Sequence, residues 1–259
     1  MLPREELLKG AENREAVART IDQAEQVIKT WEIVLSDFLS PPMLAEIQQQ
    51  FGRLTEVKLV AWGGYPQAER QRLAIAREEL PLDSSQVEVA ALDIAGNFLF
   101  DPPTHRDFLG AMVGTGLTRE KMGDIIVLGE RGAQAIVVPE IVEFLETQLT
   151  QVRSVPVKTR RIDLSELKIR EPKKKEMTTV EASMRLDAIA SAGFGTSRSK
   201  MAELISAGDV RVNWKEVKQA SSLVKSGDLI AIRGKGRLEV GDVALTKKDR
   251  YRIQLTRFI

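Results

Sequence analysis

Apolar positions recur at helical spacing near the start of the chain. In "REELLKGAENREAVARTIDQAEQVIKTWEIVLSDFLS", Val17, Ile21, Ala24 and Ile28 fall on one stripe, which predicts helix. Pro41 and Pro42 stop that pattern, and "MLAEIQQQFG" predicts a short helix closed by Gly52. The period then changes to two: "LTEVKLVAWGG" and "ERQRLAIAREEL" predict two strands joined around "GGYPQ". Next come "QVEVAALDIAG", "THRDFLGAMVGTG", "DIIVLGE", "AQAIVVP", "EIVEFLETQLTQV" and "VPVKTRRIDL", in the order strand, helix, strand, strand, helix, strand. That is the order of a ferredoxin-like, RRM-like domain. Thr104 stands three residues before Asp107, the spacing of a helix-start box.

"KIREPKKKEMTTVEAS" is charge-rich and apolar-poor, and reads as a connection whose Lys173, Lys174 and Lys175 extend a basic surface. A compact unit begins near Met184. Leu186, Ile189 and Ala190 share one helical face, and Met201, Leu204 and Ile205 another, with Gly208 placed to end the second helix. In "DVRVNWK", Val210 and Val212 point one way and Arg211, Asn213 and Lys215 the other. Ile230 and Ile232 form the inner face of a further strand, and "RYRIQLTRFI" closes with another. The expected fold class is α+β. N-terminal helices and a strand pair fill 1–84, a ferredoxin-like domain 85–170, a basic linker 171–183, and a small α+β RNA-binding domain 184–259.

Charge sharpens this picture. The 259 residues carry a net +1. Residues 1–150 hold 14 basic against 24 acidic side chains; residues 151–259 hold 24 against 13. A basic half suits a polyanion, though two oppositely charged solvated surfaces would give the same totals. The chain has no cysteine, which removes disulfides, thiol catalysis and thiolate metal sites. No segment approaches the roughly 20 apolar residues of a membrane span, and the mixed-charge start does not read as a targeting peptide. The expectation is a cytoplasmic protein without a membrane partner.

"TSRSKMAELISAGDVRVNWKEV" places Arg198 and Lys200 in the first turn of a helix, where the dipole disfavours cations. A bound phosphate would make the free N–H groups, the dipole and both cations favourable together. Arg185 opens the preceding helix, and Arg211 and Lys215 extend the cluster. "RGKGR" adds Arg233, Lys235 and Arg237 around two glycines. A solvated basic rim is the plain alternative; recurrence over two helix starts, a strand and a loop favours a nucleic-acid backbone.

The stretch from Arg185 to Arg237 resembles the RNA-binding domain named after ribosomal protein S-four, the S4 domain. It shows RLD, then SRS, then LI-x-x-G-x-V-x-VN, then V-x-x-GD-x-I. The resemblance implies two helices on a small sheet. It maps RNA-facing roles onto Arg185, Ser197, Arg198, Lys200, Arg211, Asn213 and Lys215. Many members have Gly after the VN, where this chain has Trp214. "VNWKEV", "RGKGR" and "THRDFLGAMVGTGLTREKMGDI" are similar to the YlmH-like group, whose RNA-binding unit follows a helical segment and a ferredoxin-like domain. That group is implicated in binding the large ribosomal subunit and tRNA during rescue of stalled nascent chains. Its cyanobacterial members carry a photosystem II label, toward which no residue here points.

The remaining motifs read more plainly. His105 is the single histidine and has no second histidine or cysteine to build a metal site. "GTG" and "GKG" lack the pattern of nucleotide loops. Asp93, Asp101 and Asp107 read as solvated or capping residues, and Phe98 and Phe100 as core. The middle sheet lacks aromatics for stacking bases, so no RNA readout is expected from it. No catalytic residue, metal site, cofactor or small-molecule substrate is expected. The reading is a non-catalytic protein that binds structured RNA, rRNA of the large subunit or tRNA, in ribosome-associated quality control. The alternatives are an RNA-modifying enzyme, of pseudouridine synthase or methyltransferase type, and a protein-assembly factor with a basic docking domain.

Overall fold

The computed structural model describes residues 2–169, 173–232 and 234–258. The chain divides into two compact units, Met1–Ile169 and Arg170–Ile259.

In the first unit, helices α1 (Arg4–Leu8) and α2 (Arg14–Thr30) precede strand β1 (Val34–Leu35), helix α3 (Pro41–Phe51) and strands β2 (Val57–Trp62) and β3 (Arg72–Arg77). The strands form an antiparallel sheet in the order β1-β3-β2. Val17, Ile21, Ala24 and Val27 are the fully buried stripe of α2, so the core takes Val27 where the spacing suggested Ile28. The helix ends well before the prolines, at Trp31 with φ +62°, and Pro41 instead opens α3. Proline suits a first helical turn because the N–H it lacks would go unpaired there.

The second half of this unit contains β4 (Ala90–Gly96), α4 (His105–Gly114), β5 (Met122–Val127), β6 (Gly132–Val137), α5 (Val142–Gln148), β7 (Gln151–Val152) and β8 (Val155–Ile162). The sheet order β5-β6-β4-β8-β7 is the ferredoxin-like arrangement with one short added strand. Leu92, Ile94, Ala133, Ala135 and Val137 pack with Phe98, Phe108 and Met112. Asp107 accepts from both the N–H and the hydroxyl of Thr104 at 2.7 Å, as the helix-start box requires.

Phe100, read from sequence as core, is 93% exposed. It lies in the loop before α4, beyond the last residue of β4, so strand alternation no longer governs it. Along β6 every residue is buried. Gln134, on the face away from the core, donates to the Glu166 carbonyl and accepts from the Lys168 N–H. The segment after β8 therefore covers the middle of the sheet face that an RNA-recognition domain leaves open.

The second unit contains β9 (Lys174–Glu181), α6 (Leu186–Phe194), α7 (Arg198–Ser206), β10 (Val210–Val212), β11 (Lys215–Glu216), β12 (Leu229–Ile232), β13 (Gly236–Leu245) and β14 (Tyr251–Phe258). They form one antiparallel six-stranded sheet in the order β11-β10-β12-β13-β14-β9. Leu186, Ile189, Met201 and Ile205 pack on Val210, Ile230, Ile232, Leu238, Val240, Ile253 and Leu255, so both helices cover one face of this sheet. Composition suggested a linker over 171–183. Instead, Lys174–Glu181 pairs along the whole of β14 as an edge strand. Lysines on such an edge discourage pairing with another chain, which is why the strand reads as a connection.

Candidate nucleic-acid interface

The geometry centres on Asp187, in the first turn of α6. Its N–H donates to the Ala220 carbonyl at 3.1 Å, and its side chain is only 9% exposed. One carboxylate oxygen accepts from Arg185 Nε at 3.1 Å and from Arg198 Nη2 at 3.1 Å; the other accepts from Arg185 Nη2 at 3.0 Å. Hydrogen bonds from Arg185, then from Arg198, hold the Asp187 carboxyl below its ordinary pKa despite burial. Both arginines stay open to solvent, with side chains 39% and 55% exposed. One buried acid thus fixes two guanidinium groups at two helix starts and leaves a positive surplus. Charge-assisted bonds of this kind are the stronger sort and set the planes of the groups they hold.

The same arrangement shows why Arg198 is tolerated in the first turn of α7: its counter-ion comes from the neighbouring helix. Ser197 caps α7, its Oγ accepting from the Lys200 N–H at 3.3 Å. Lys200 is exposed and forms no ion pair with another described residue. Arg185, Ser197, Arg198 and Lys200 therefore lie together. Asp187 is the member that charge-based reading overlooked; its position in "RLD", beside Arg185, was the available signal.

The strand residues divide differently. Arg211 pairs with Ala231, Ala231 with Arg237, Arg237 with Phe258, and Phe258 with Lys174. Paired residues share a face, so this row lies on the face away from the helices. Arg237 and Lys174 flank the Phe258 ring, at 6.0 and 5.8 Å from its centroid. Asn213 and Trp214 form a two-residue turn with φ of +49° and +67°, so the strand does not continue through Lys215. Lys215 pairs with Val212 and sits on the opposite face from Arg211. The sequence reading placed both on one face because "VRVNWK" alternates without interruption.

Asn213 makes two bonds within the domain. Its Nδ2 donates to Asp228 Oδ1 at 2.8 Å, and its Oδ1 accepts from the Leu229 N–H at 2.9 Å. Asp228, itself buried, also accepts from the Lys225 N–H at 2.8 Å. The Asn of "VN" and the Asp of "GD" thus tie the turn to β12, while Asn213 itself stays exposed. Lys235 is exposed in the turn before β13. Gly236 has φ +92°, and a side chain there would meet the Phe258 carbonyl oxygen at 2.4 Å, so this glycine serves strand approach. Arg233 lies outside the described residues.

In the first unit, the polar groups nearest to a catalytic appearance serve structure. Asp124 accepts from Tyr65 Oη at 2.8 Å and from the N–H groups of Glu69 and Arg70 at 2.7 and 3.0 Å. Arg70 and Arg119 donate to backbone carbonyls, and burial, then the charge of Arg70, lowers the Arg119 pKa to about 10. Desolvation and Arg119 hold the His105 pKa below its usual value. Among the described residues, no group of His, Cys, Asp or Glu is placed to hold a metal ion, and no helix is long and apolar enough to cross a membrane.

Three family models match the chain in succession: "YlmH, N-terminal" over residues 12–80, "Putative RNA-binding domain in YlmH" over 83–166, and "S4 domain" over 184–230. The second gives the middle domain an RNA-binding description, where sequence reading expected no readout from its sheet. A curated relative, the ribosome-associated protein quality control protein P2 of Bacillus subtilis (strain 168), is 36% identical over 242 residues, covering 92% of this chain and 93% of that protein. A solved structure, cell division protein ylmH from Streptococcus pneumoniae, superposes with a TM-score of 0.53 at 18% identity, covering 61% of this chain and 94% of that one. At that identity the likeness speaks for the fold alone. The ordered family matches and the near full-length relative agree with the arrangement described, and the chain belongs to the YlmH family.

Proposed function

We propose that this protein is a non-catalytic RNA-binding protein of the cytoplasm that acts on the ribosome, contacting rRNA of the large subunit or tRNA in ribosome-associated quality control. The observation that carries the reading is the Asp187 clamp, which presents Arg185 and Arg198 beside Lys200 at two helix starts. The name of the Bacillus relative, a ribosome-associated quality control protein, supports the ribosomal partner. A non-catalytic role is supported by the commitment of Asp124 and its arginines to structural bonds. In this reading, residues 184–259 form the RNA-binding domain, preceded by 1–84 and 85–170, which pack into one compact unit over Met1–Ile169. Arg185, Ser197, Arg198 and Lys200 form the primary contact; Arg211, Asn213, Lys215, Arg233, Lys235 and Arg237 are secondary ones.

Sedimentation through a sucrose gradient with purified ribosomal subunits tests this. Co-migration with the large subunit, abolished by Arg198→Ala with Lys200→Glu, is the expected result. Alanine at 198 is preferred because a glutamate there would face Asp187. Migration with no subunit would contradict the ribosomal assignment, and turnover of an RNA base with an added cofactor would favour the modifying-enzyme alternative.

A further inference from the structure

The hairpin joining β13 to β14 carries a basic cavity apart from the helix-start cluster. Thr246, Lys247, Lys248, Arg250 and Arg252 line a space of about 560 Å³ together with apolar Val180, Ala244 and Leu245. The turn is internally bonded. The Thr246 N–H donates to the Arg250 carbonyl at 2.7 Å, the Arg250 N–H to Thr246 Oγ1 at 3.2 Å, and the Asp249 N–H to the Thr246 carbonyl at 3.1 Å. None of its four cations forms an ion pair with another described residue.

The plain reading of such a tip is a solvated one, since β12 pairs with β13 only over Gly236–Glu239 and leaves the hairpin end of β13 with β14 as its strand partner; what favours a ligand is the concavity and the apolar surface beside it. The cations surround a concavity and stand beside Leu245, which is 69% exposed. Charge beside apolar surface matches a sugar–phosphate chain, whose phosphates take the cations while ribose and base faces take the apolar side chains. Strand alternation places Arg252 and Val180 on the face that carries Phe258 and Lys174. Arg252 and Phe258 are six residue steps apart along β14, roughly 20 Å at about 3.3 Å per residue. The helix-free face thus has a basic group at each end, with Glu176 and Glu239 between them. This hairpin lies outside the residues matched by the S4 model.

We propose that the β13–β14 hairpin is a second RNA-contacting site, gripping the backbone of the same RNA through Lys247, Lys248, Arg250 and Arg252. The proposal rests on the RNA-binding reading. Filter binding of the full chain to bulk tRNA and to purified 23S rRNA over a salt series tests it. With the four cations changed to glutamine (Lys247→Gln, Lys248→Gln, Arg250→Gln, Arg252→Gln), affinity should fall about tenfold or more. The log–log salt slope should become shallower by roughly 3, from about 0.7–0.9 per lost phosphate contact. Circular dichroism should be unchanged.

If the wild type and an Arg198→Ala, Lys200→Glu variant behave as the reading requires while the glutamine variant binds like wild type, the hairpin proposal alone fails. If the wild type binds no RNA, the reading fails and the proposal with it. Hairpin-dependent binding to vesicles of anionic phospholipid without any change toward RNA would also overturn it. A photo-crosslinker in place of Leu245 gives a readout that leaves the cations intact: crosslinks to RNA are expected, and their absence contradicts the proposal.

Discussion

Asp187 gives the basic cluster its order. Replacing it with Asn leaves Arg185 and Arg198 without their shared charge, and the loss should be about 1–3 kcal/mol of stability, in the range for charged hydrogen bonds. RNA affinity should fall as well, although the variant gains positive charge, because the guanidinium groups lose their alignment. Thermal denaturation and filter binding measure the two effects. The folded pKa of Asp187 lies below its unfolded value, so its stabilising contribution is complete above about pH 4 and is lost as pH falls toward the folded pKa. The wild-type melting temperature should therefore drop more steeply than that of Asp187→Asn on acidification below about pH 4; parallel curves would argue against the clamp. Arg185 and Arg198 were legible from charge and position. Their acid was not, because charge counting treats an Asp among arginines as dilution, and only packing reveals that one carboxylate faces both.

The turn between β10 and β11 (Val210–Val212 and Lys215–Glu216) shows what an alternating pattern conceals. Polar and apolar residues alternate straight through "VRVNWK", yet the chain reverses at Asn213 and Trp214. Asparagine adopts positive φ at modest cost, whereas tryptophan does not. Trp214→Gly should therefore stabilise the domain by up to about 1 kcal/mol, read by urea denaturation. Asn213→Ala should destabilise it by about 1–2 kcal/mol through the bonds to Asp228 and Leu229. An unchanged RNA affinity at fixed salt in this variant would make Asn213 a structural residue only, and a loss of affinity in the folded variant would make it a contact. The strand over Lys174–Glu181 escaped sequence reading for a related reason. An edge strand with one open face needs few apolar residues, and its Met177 and Val180 set no clear period. The helices of this domain, by contrast, were plain, because their apolar residues must line one face to meet a single core.

At the scale of the molecule, the charge division follows the fold: the acidic half lies wholly in the first compact unit, and the basic half spans the end of that unit and all of the second. The ferredoxin-like order was readable because its helices and strands have distinct periods. Coverage of β6 (Gly132–Val137) by the segment around Glu166 was not, since it depends on where a tail returns in space. What periodicity could not supply was the sorting of cations by face: helix starts on one side, the row from Arg211 to Lys174 on the other. Phosphate contact through the helix-start cluster is therefore the central claim about this molecule. Its most direct test is the salt dependence of affinity for 23S rRNA in the wild type and in Arg198→Ala with Lys200→Ala. About five phosphate contacts around the helix-start cluster, with the four proposed for the hairpin, should give a wild-type log–log slope of roughly −6 to −8, shallower by about 1.5 in the variant. A wild-type slope near zero, or the same slope in both proteins, would contradict the assignment.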